Sequence, residues 1–260
     1  MTTPTATTAP TRPSPALAWA ALAAAVLQVV VPAVQAIWSL GAPASSQGED
    51  LLITPAGYTF SIWSVVYLLT IAYGIAVIVT RSTGTRASDR LLGDLVLLYV
   101  GAAVWIVAAA LEWSWGTAAV LLVMVVIAID AAHVAVFPGP DADQPRWLSP
   151  LARVTTGLYA GWVTAAGSLN VCTALVADGD VDGADPGWQV WALAVTALVA
   201  VGFSVLIGGS WAYAAALVWA LVGVIVAVRD TSGALVVTAV VAAVAIVAIN
   251  ALLILRRRAS

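Results

Sequence analysis

The sequence predicts an all-α integral membrane protein, a bundle of about eight transmembrane helices. Three observations carry that expectation. Of 260 residues, 62% are hydrophobic and 9% are charged, whereas a soluble domain carries about 25% charged residues. The apolar residues gather into runs of about 20, the length that crosses about 30 Å of hydrocarbon as a helix. The basic residues are ten arginines, and all but Arg229 fall in the two terminal segments and in or beside alternate connections between those runs.

Residues 1–14, rich in Thr, Pro and Ala with Arg12 as their one charge, read as a disordered cytoplasmic tail. The spans then fall at about 16–38, 58–80, 91–111, 116–137, 151–177, 189–207, 211–228 and 234–255. Each must be helical, because backbone N–H and C=O groups in hydrocarbon have to be satisfied within the segment. The first is too long for the apolar part of a signal peptide and lacks a cleavage pattern. Pro15 lies near its start, and Pro55 and Gly57 precede the second span. Pro138 and Pro140 follow the fourth, Pro150 opens the fifth and Pro186 precedes the sixth, all places where a missing N–H is tolerated. Gly208-Gly209-Ser210 is a tight turn between the sixth and seventh spans; read as a kink, it would leave seven. Arginine decides for eight. With the N-terminus inside, Arg12, Arg81, Arg86, Arg90, Arg146, Arg153 and Arg256 to Arg258 are cytoplasmic, leaving Arg229 outside. A cytoplasmic excess of Arg is the signal that orients such proteins, so both termini, including the basic tail 256–260, are expected in the cytoplasm of a multi-pass cell-membrane protein.

The polar and aromatic residues that carry chemistry lie mostly in the first five spans. In the fifth, Tyr159, Trp162, Ala166 and Asn170 are spaced by three and four and share one helix side. Gly161, Ala165, Ala166, Gly167 and Ser168 permit close helix approach, so this face reads as a tight interface, a cavity wall, or both. Trp63 and Tyr67 lie four apart near the outer end of the second span, with Trp105 at a similar level of the third and Trp38 near the end of the first. Tyr58 and Phe60 read as members of the interfacial aromatic belt. Asp130 and His133 are three apart in the fourth span. A charge at that depth faces protein, water or a partner, and the pair reads as hydrogen-bonded to each other, as a proton relay, or as a haem-ligating histidine oriented by its neighbour. Asp94 pairs most simply with Arg90 one turn before it, and Asn250 with a helix beside the eighth. Nucleic acid is excluded as a partner by the absence of a basic stripe. No nucleotide loop, zinc motif or Ser/His/Asp grouping points to catalysis, and one cysteine, Cys172, precludes an intrachain disulfide.

The pattern W-V-x-x-A-x-x-L-N over 162–170, with Tyr159 three residues before the tryptophan, resembles the fifth helix of the TspO/MBR family. These are the tryptophan-rich sensory proteins, also called translocator or peripheral benzodiazepine receptor-like proteins. Trp63-x3-Tyr67 after a proline-containing loop resembles that family's W-T-x-L-Y segment, and Trp105 resembles its third-helix tryptophan. The chain departs from the pattern at Ala102, Ser61-Ile62 and Ala165, where the family carries Asn, Pro and Phe. The resemblance covers residues 16–177 and implies a five-helix module, here 15–180, that binds porphyrins, haem-like tetrapyrroles or sterol-like ligands, often as a homodimer. Residues 188–255 then form three additional helices, an added bundle or shield.

The expectation is therefore a membrane sensor or translocator-like protein, not evidently an enzyme, holding a planar hydrophobic molecule such as a porphyrin or haem as ligand. Trp38, Trp63, Tyr67, Trp105 and Trp162 would line the site, with Tyr159 and Asn170 as its polar members. The alternatives are a proton-coupled small-solute transporter using Asp130 and His133, and a structural membrane subunit. The partners expected are the lipid bilayer, the ligand and a second copy of the chain; no metal site is implied.

Overall fold

Eight long helices follow one another with short connections. The computed structural model describes residues 12–41, 51–137, 139 and 144–259. Most of the tail expected over 1–14, together with Pro138 and Pro140, lies outside the described residues. The helices are α1 Pro15–Trp38, α2 Ile62–Thr80, α3 Ser88–Ala110, α4 Ser114–Val136, α5 Leu148–Ala177, α6 Pro186–Ile207, α7 Trp211–Val228 and α8 Gly233–Ala259. Each is long and apolar enough to cross a membrane, α2 together with the 3-10 turn Gly57–Ser61 that leads into it. The protein is a multi-pass membrane protein.

Several helices begin about a turn before the expected span. Sequence reasoning starts a span where the apolar run starts, but the backbone helix begins earlier, among polar residues at the membrane end. α3 opens on Ser88-Asp89-Arg90 and α5 on Leu148-Ser149-Pro150, where Pro150 sits in a first turn whose N–H groups have no intrahelical partner anyway. In α6, Pro186 takes the first position and the Asp185 carboxylate accepts the Gly187 N–H at 2.8 Å, a standard N-cap.

The 208–210 turn separates two full helices. Gly208 and Gly209 have φ of 79° and 84°, a conformation that costs glycine little and other residues much. The Gly209 N–H closes on Ser204 O at 3.0 Å, ending α6, and Ser210 Oγ accepts from Tyr213 N to open α7. Asn250 of α8 secures the turn: its Oδ1 accepts from Ser210 N and its Nδ2 donates to Ser204 Oγ, both at 2.8 Å. One buried amide thus ties α6, α7 and α8 together.

α5 is the central helix, packed against α2, α4, α6 and α7. α1 lies on α2 and α3, α3 on α4, and α8 on α6 and α7. The α5–α7 seam is close because α5 is small there: a Cβ on Gly161 would run into the Tyr213 carbonyl and the Ala216 methyl. Buried residues of α6 to α8, among them Ala200, Tyr213, Ala216, Ala239 and Ile246, share one continuous core with Tyr99, Trp105, Tyr159 and Trp162.

A candidate ligand site built around Trp63

The 3-10 turn Gly57–Ser61 runs directly into α2 and places Phe60 and Trp63 over α3 and α5. Trp63 is the hub of an aromatic cluster. Its ring stacks on Tyr67 at 5.4 Å between centroids and on Trp105 at 5.8 Å, with interplanar angles of 28° and 29°. It meets Tyr159 and Trp162 edge-on at 5.9 and 6.1 Å. Phe60 meets Trp162 edge-on at 6.0 Å, and Tyr99 lies 5.7 Å from Tyr159. Offset-stacked and edge-to-face pairs of this kind contribute about 0.5–1.5 kcal/mol each beyond area burial. The structure thus brings together Trp63, Tyr67, Trp105, Tyr159 and Trp162 from three helices.

Buried hydrogen bonds set these rings in place. Tyr159 OH donates to Gln28 Oε1 at 2.9 Å, Gln28 Nε2 donates to Thr70 Oγ1 at 2.9 Å, and Thr70 Oγ1 donates to Tyr67 O at 2.9 Å. This relay crosses from α5 through α1 to α2. Gln28 was missed by sequence reasoning; its signal was an amide in the middle of the apolar run of α1, and it is 1% exposed. Asn170 Nδ2 donates to Ala166 O at 2.9 Å, and its Oδ1 accepts from Trp105 Nε1 at 3.4 Å. The indole N–H of Trp162, 3% exposed, has no partner among the described residues, and an orphaned buried donor costs about 1–3 kcal/mol.

Two voids flank the cluster. A groove of about 590 Å³ opens between α1, α2 and α3, lined by Pro32, Gln35, Phe60, Trp63, Tyr67 and Trp105 among others. That volume is within the range of about 300–1,000 Å³ usual for small-molecule sites. On the other side, a chamber of about 80 Å³ lies between α5 and the last three helices, with Trp162, Asn170, Leu193, Ala197, Leu217 and Ala242 in its walls. Phe60, Trp63 and Trp105 line both. Phe60, expected only in the interfacial belt, is therefore a partition residue, because the 3-10 turn folds it inward. Tyr58 is half exposed and packs edge-on against Trp219 at 5.5 Å. Trp38 is 64% exposed at the end of α1 and lines neither void. Between α1, α2, α3 and α5, where the sequence points to a cavity, the rings pack on one another; the groove opens on the α1–α3 side of them and the chamber lies on the side of α6, α7 and α8.

Asp130 and His133 bond to different helices. Arg90 Nε donates to Asp130 Oδ2 at 3.0 Å, and Arg90 Nη2 engages the other oxygen, joining α3 to α4. The expected Arg90–Asp94 pair along α3 gives way to this two-pronged geometry, which matches the planar guanidinium. His133 Nδ1–H donates to Leu206 O of α6 at 2.7 Å, and its ring lies 4.9 Å from Phe137. Neither residue lines the groove or the chamber. Among the described residues no cluster of three His, Cys, Asp or Glu side chains could hold a metal ion.

A family model described as TSPO-like protein matches residues 16–253. The chain belongs to the TSPO-like family. The match runs through α6, α7 and α8 as well, beyond the 16–177 stretch whose motifs carried the resemblance. No curated protein and no solved structure matches the chain. In this TSPO-like protein, then, the last three helices stand within the family's extent, and they also wall the inner chamber.

Proposed function

We propose that this TSPO-like protein is a membrane receptor or translocator-like protein that holds a planar hydrophobic ligand, such as a porphyrin or other tetrapyrrole, in the groove between α1, α2 and α3. The observation that carries this reading is the groove of about 590 Å³ with Trp63, Tyr67 and Trp105 in one wall. Aromatic faces at a cleft of this size suit a flat, apolar ring system. In this reading Trp63, Tyr67 and Trp105 touch the ligand. Tyr159 and Trp162 brace Trp63 from behind, and Asn170 orients Trp105. The single histidine of the chain, His133, is committed to α6 outside the groove, so the groove suits a metal-free ring better than a haem that needs an axial imidazole. The orientation proposed is cytoplasmic for both termini, from the nine arginines assigned to that side.

The test is a protoporphyrin IX titration of purified protein, read by tryptophan quenching against empty detergent micelles. Saturable binding near one ligand per chain is expected, weakened about two- to tenfold in Trp105→Phe and Tyr67→Ala through lost stacking. Circular dichroism checks that both variants fold. Uptake no stronger than that of the micelles, or affinity unchanged in both variants, would overturn the reading.

A further inference from the structure

The chamber on the other face of α5 is a different kind of space from the groove. Its long walls run from Ala165 to Cys172 on α5, Leu193 to Ala200 on α6 and Leu217 to Val224 on α7. Seven residue steps along a helix make it about 10 Å long. With about 80 Å³ spread over that length, it admits something slender and excludes a tetrapyrrole. Among the described residues no Asp, Glu or Arg lines it, so these walls offer a charged molecule no counter-ion.

Water suits it poorly. A buried water makes about three hydrogen bonds, and the polar groups here are mostly engaged. Ser168 and Thr196 donate their hydroxyl hydrogens to Thr164 O and Ala192 O at 3.1 and 2.8 Å. Asn170 is held by Ala166 and Trp105. Among the described residues, the buried polar group of the chamber wall with no partner at all is the Trp162 indole N–H.

We propose that this chamber between α5 and α6, α7 and α8 is a second binding site, for a slender, neutral, mostly hydrocarbon molecule bearing one carbonyl or hydroxyl oxygen. The Leu, Ala and Val walls take the hydrocarbon, and the Trp162 N–H donates to the oxygen. The site is separate from the groove, with Phe60, Trp63 and Trp105 as the partition between them: Leu193, Ala197, Leu217, Ala220 and Ala242 line the chamber and not the groove.

The experiment uses the full chain in lipid nanodiscs, titrated with methyl butyl ketone or with hexane, which lacks the acceptor. Empty nanodiscs are the blank, and binding is read by tryptophan fluorescence and by the shift in unfolding temperature. Saturable ketone binding, tighter than hexane, is expected in the wild type. Trp162→Phe keeps a ring but removes the donor, and should weaken the ketone about two- to tenfold while leaving hexane unchanged. Ala197→Phe should fill the slot and abolish binding of both, yet bind protoporphyrin IX as the wild type does. If Ala197→Phe fails to fold, Trp162→Phe still decides. A ketone response that never saturates, or equal ketone affinity in Trp162→Phe, overturns the proposal. Loss of porphyrin binding in the wild type would sink the groove reading and leave this one standing.

Discussion

Gln28 holds three helices with one side chain, accepting from Tyr159 and donating to Thr70. Substituting Gln28→Leu preserves much of the bulk but strands the Tyr159 hydroxyl, which is buried at 1% exposure. The expected cost is about 1–3 kcal/mol, read as a lower unfolding temperature in detergent. Gln28→Glu, which keeps an acceptor for Tyr159, should lose less in mildly acidic buffer than at neutral pH, where a buried carboxylate is penalised. At this scale the sequence was uneven. Trp63, Tyr67, Trp105, Tyr159 and Trp162 were legible because tryptophans and tyrosines at helical spacing are rare in plain lipid-facing segments. Gln28 and Phe60 were not, since a single amide and a loop aromatic acquire meaning only from what they meet across the bundle.

α5 serves two masters at the level of elements, and its sequence shows why it can. Glycines at 157 and 161 face α7, while Trp162 and Asn170 face the chamber and the aromatic cluster. Gly161→Ala already places a methyl against the Tyr213 carbonyl and Ala216, and the two helices would have to separate. Overpacking of this kind costs about 1–3 kcal/mol. Gly161→Leu is expected to abolish the folded protein on size-exclusion chromatography, whereas Gly202→Leu, with open space around it, is expected to be tolerated. The ambiguity between interface and cavity wall in the 159–170 stretch could not be settled from spacing. A helix with small residues on one side and aromatics on another looks the same in sequence whichever neighbour each side meets.

For the whole molecule, alternating helices put the α2–α3 and α4–α5 connections, with Arg81, Arg86 and Arg146, at one end and Arg229 at the other, and the proposed topology makes the first end cytoplasmic. In a Cys172→Ala background, Thr231→Cys between α7 and α8 should be labelled from outside intact cells by a membrane-impermeant maleimide. Trp147→Cys, at the start of α5, should react only after the membrane is opened; the reverse pattern would invert the topology. The sequence by itself determined that the chain crosses the membrane, how often, and roughly where each helix begins. Those properties follow from hydropathy, helix rise and the cost of unpaired backbone in lipid, all of which are local. It also exposed the family, through side chains at short spacing within single helices. Only the tertiary structure decided that the last three helices share a core with the first five, that Asp130 belongs to Arg90 and His133 to α6, and that the aromatic rings close on one another with a groove on one side and a chamber on the other. Each of these is a choice among partners far apart in the chain, and in a bundle of similar apolar helices such choices are made by packing and buried hydrogen bonds, which no local pattern records.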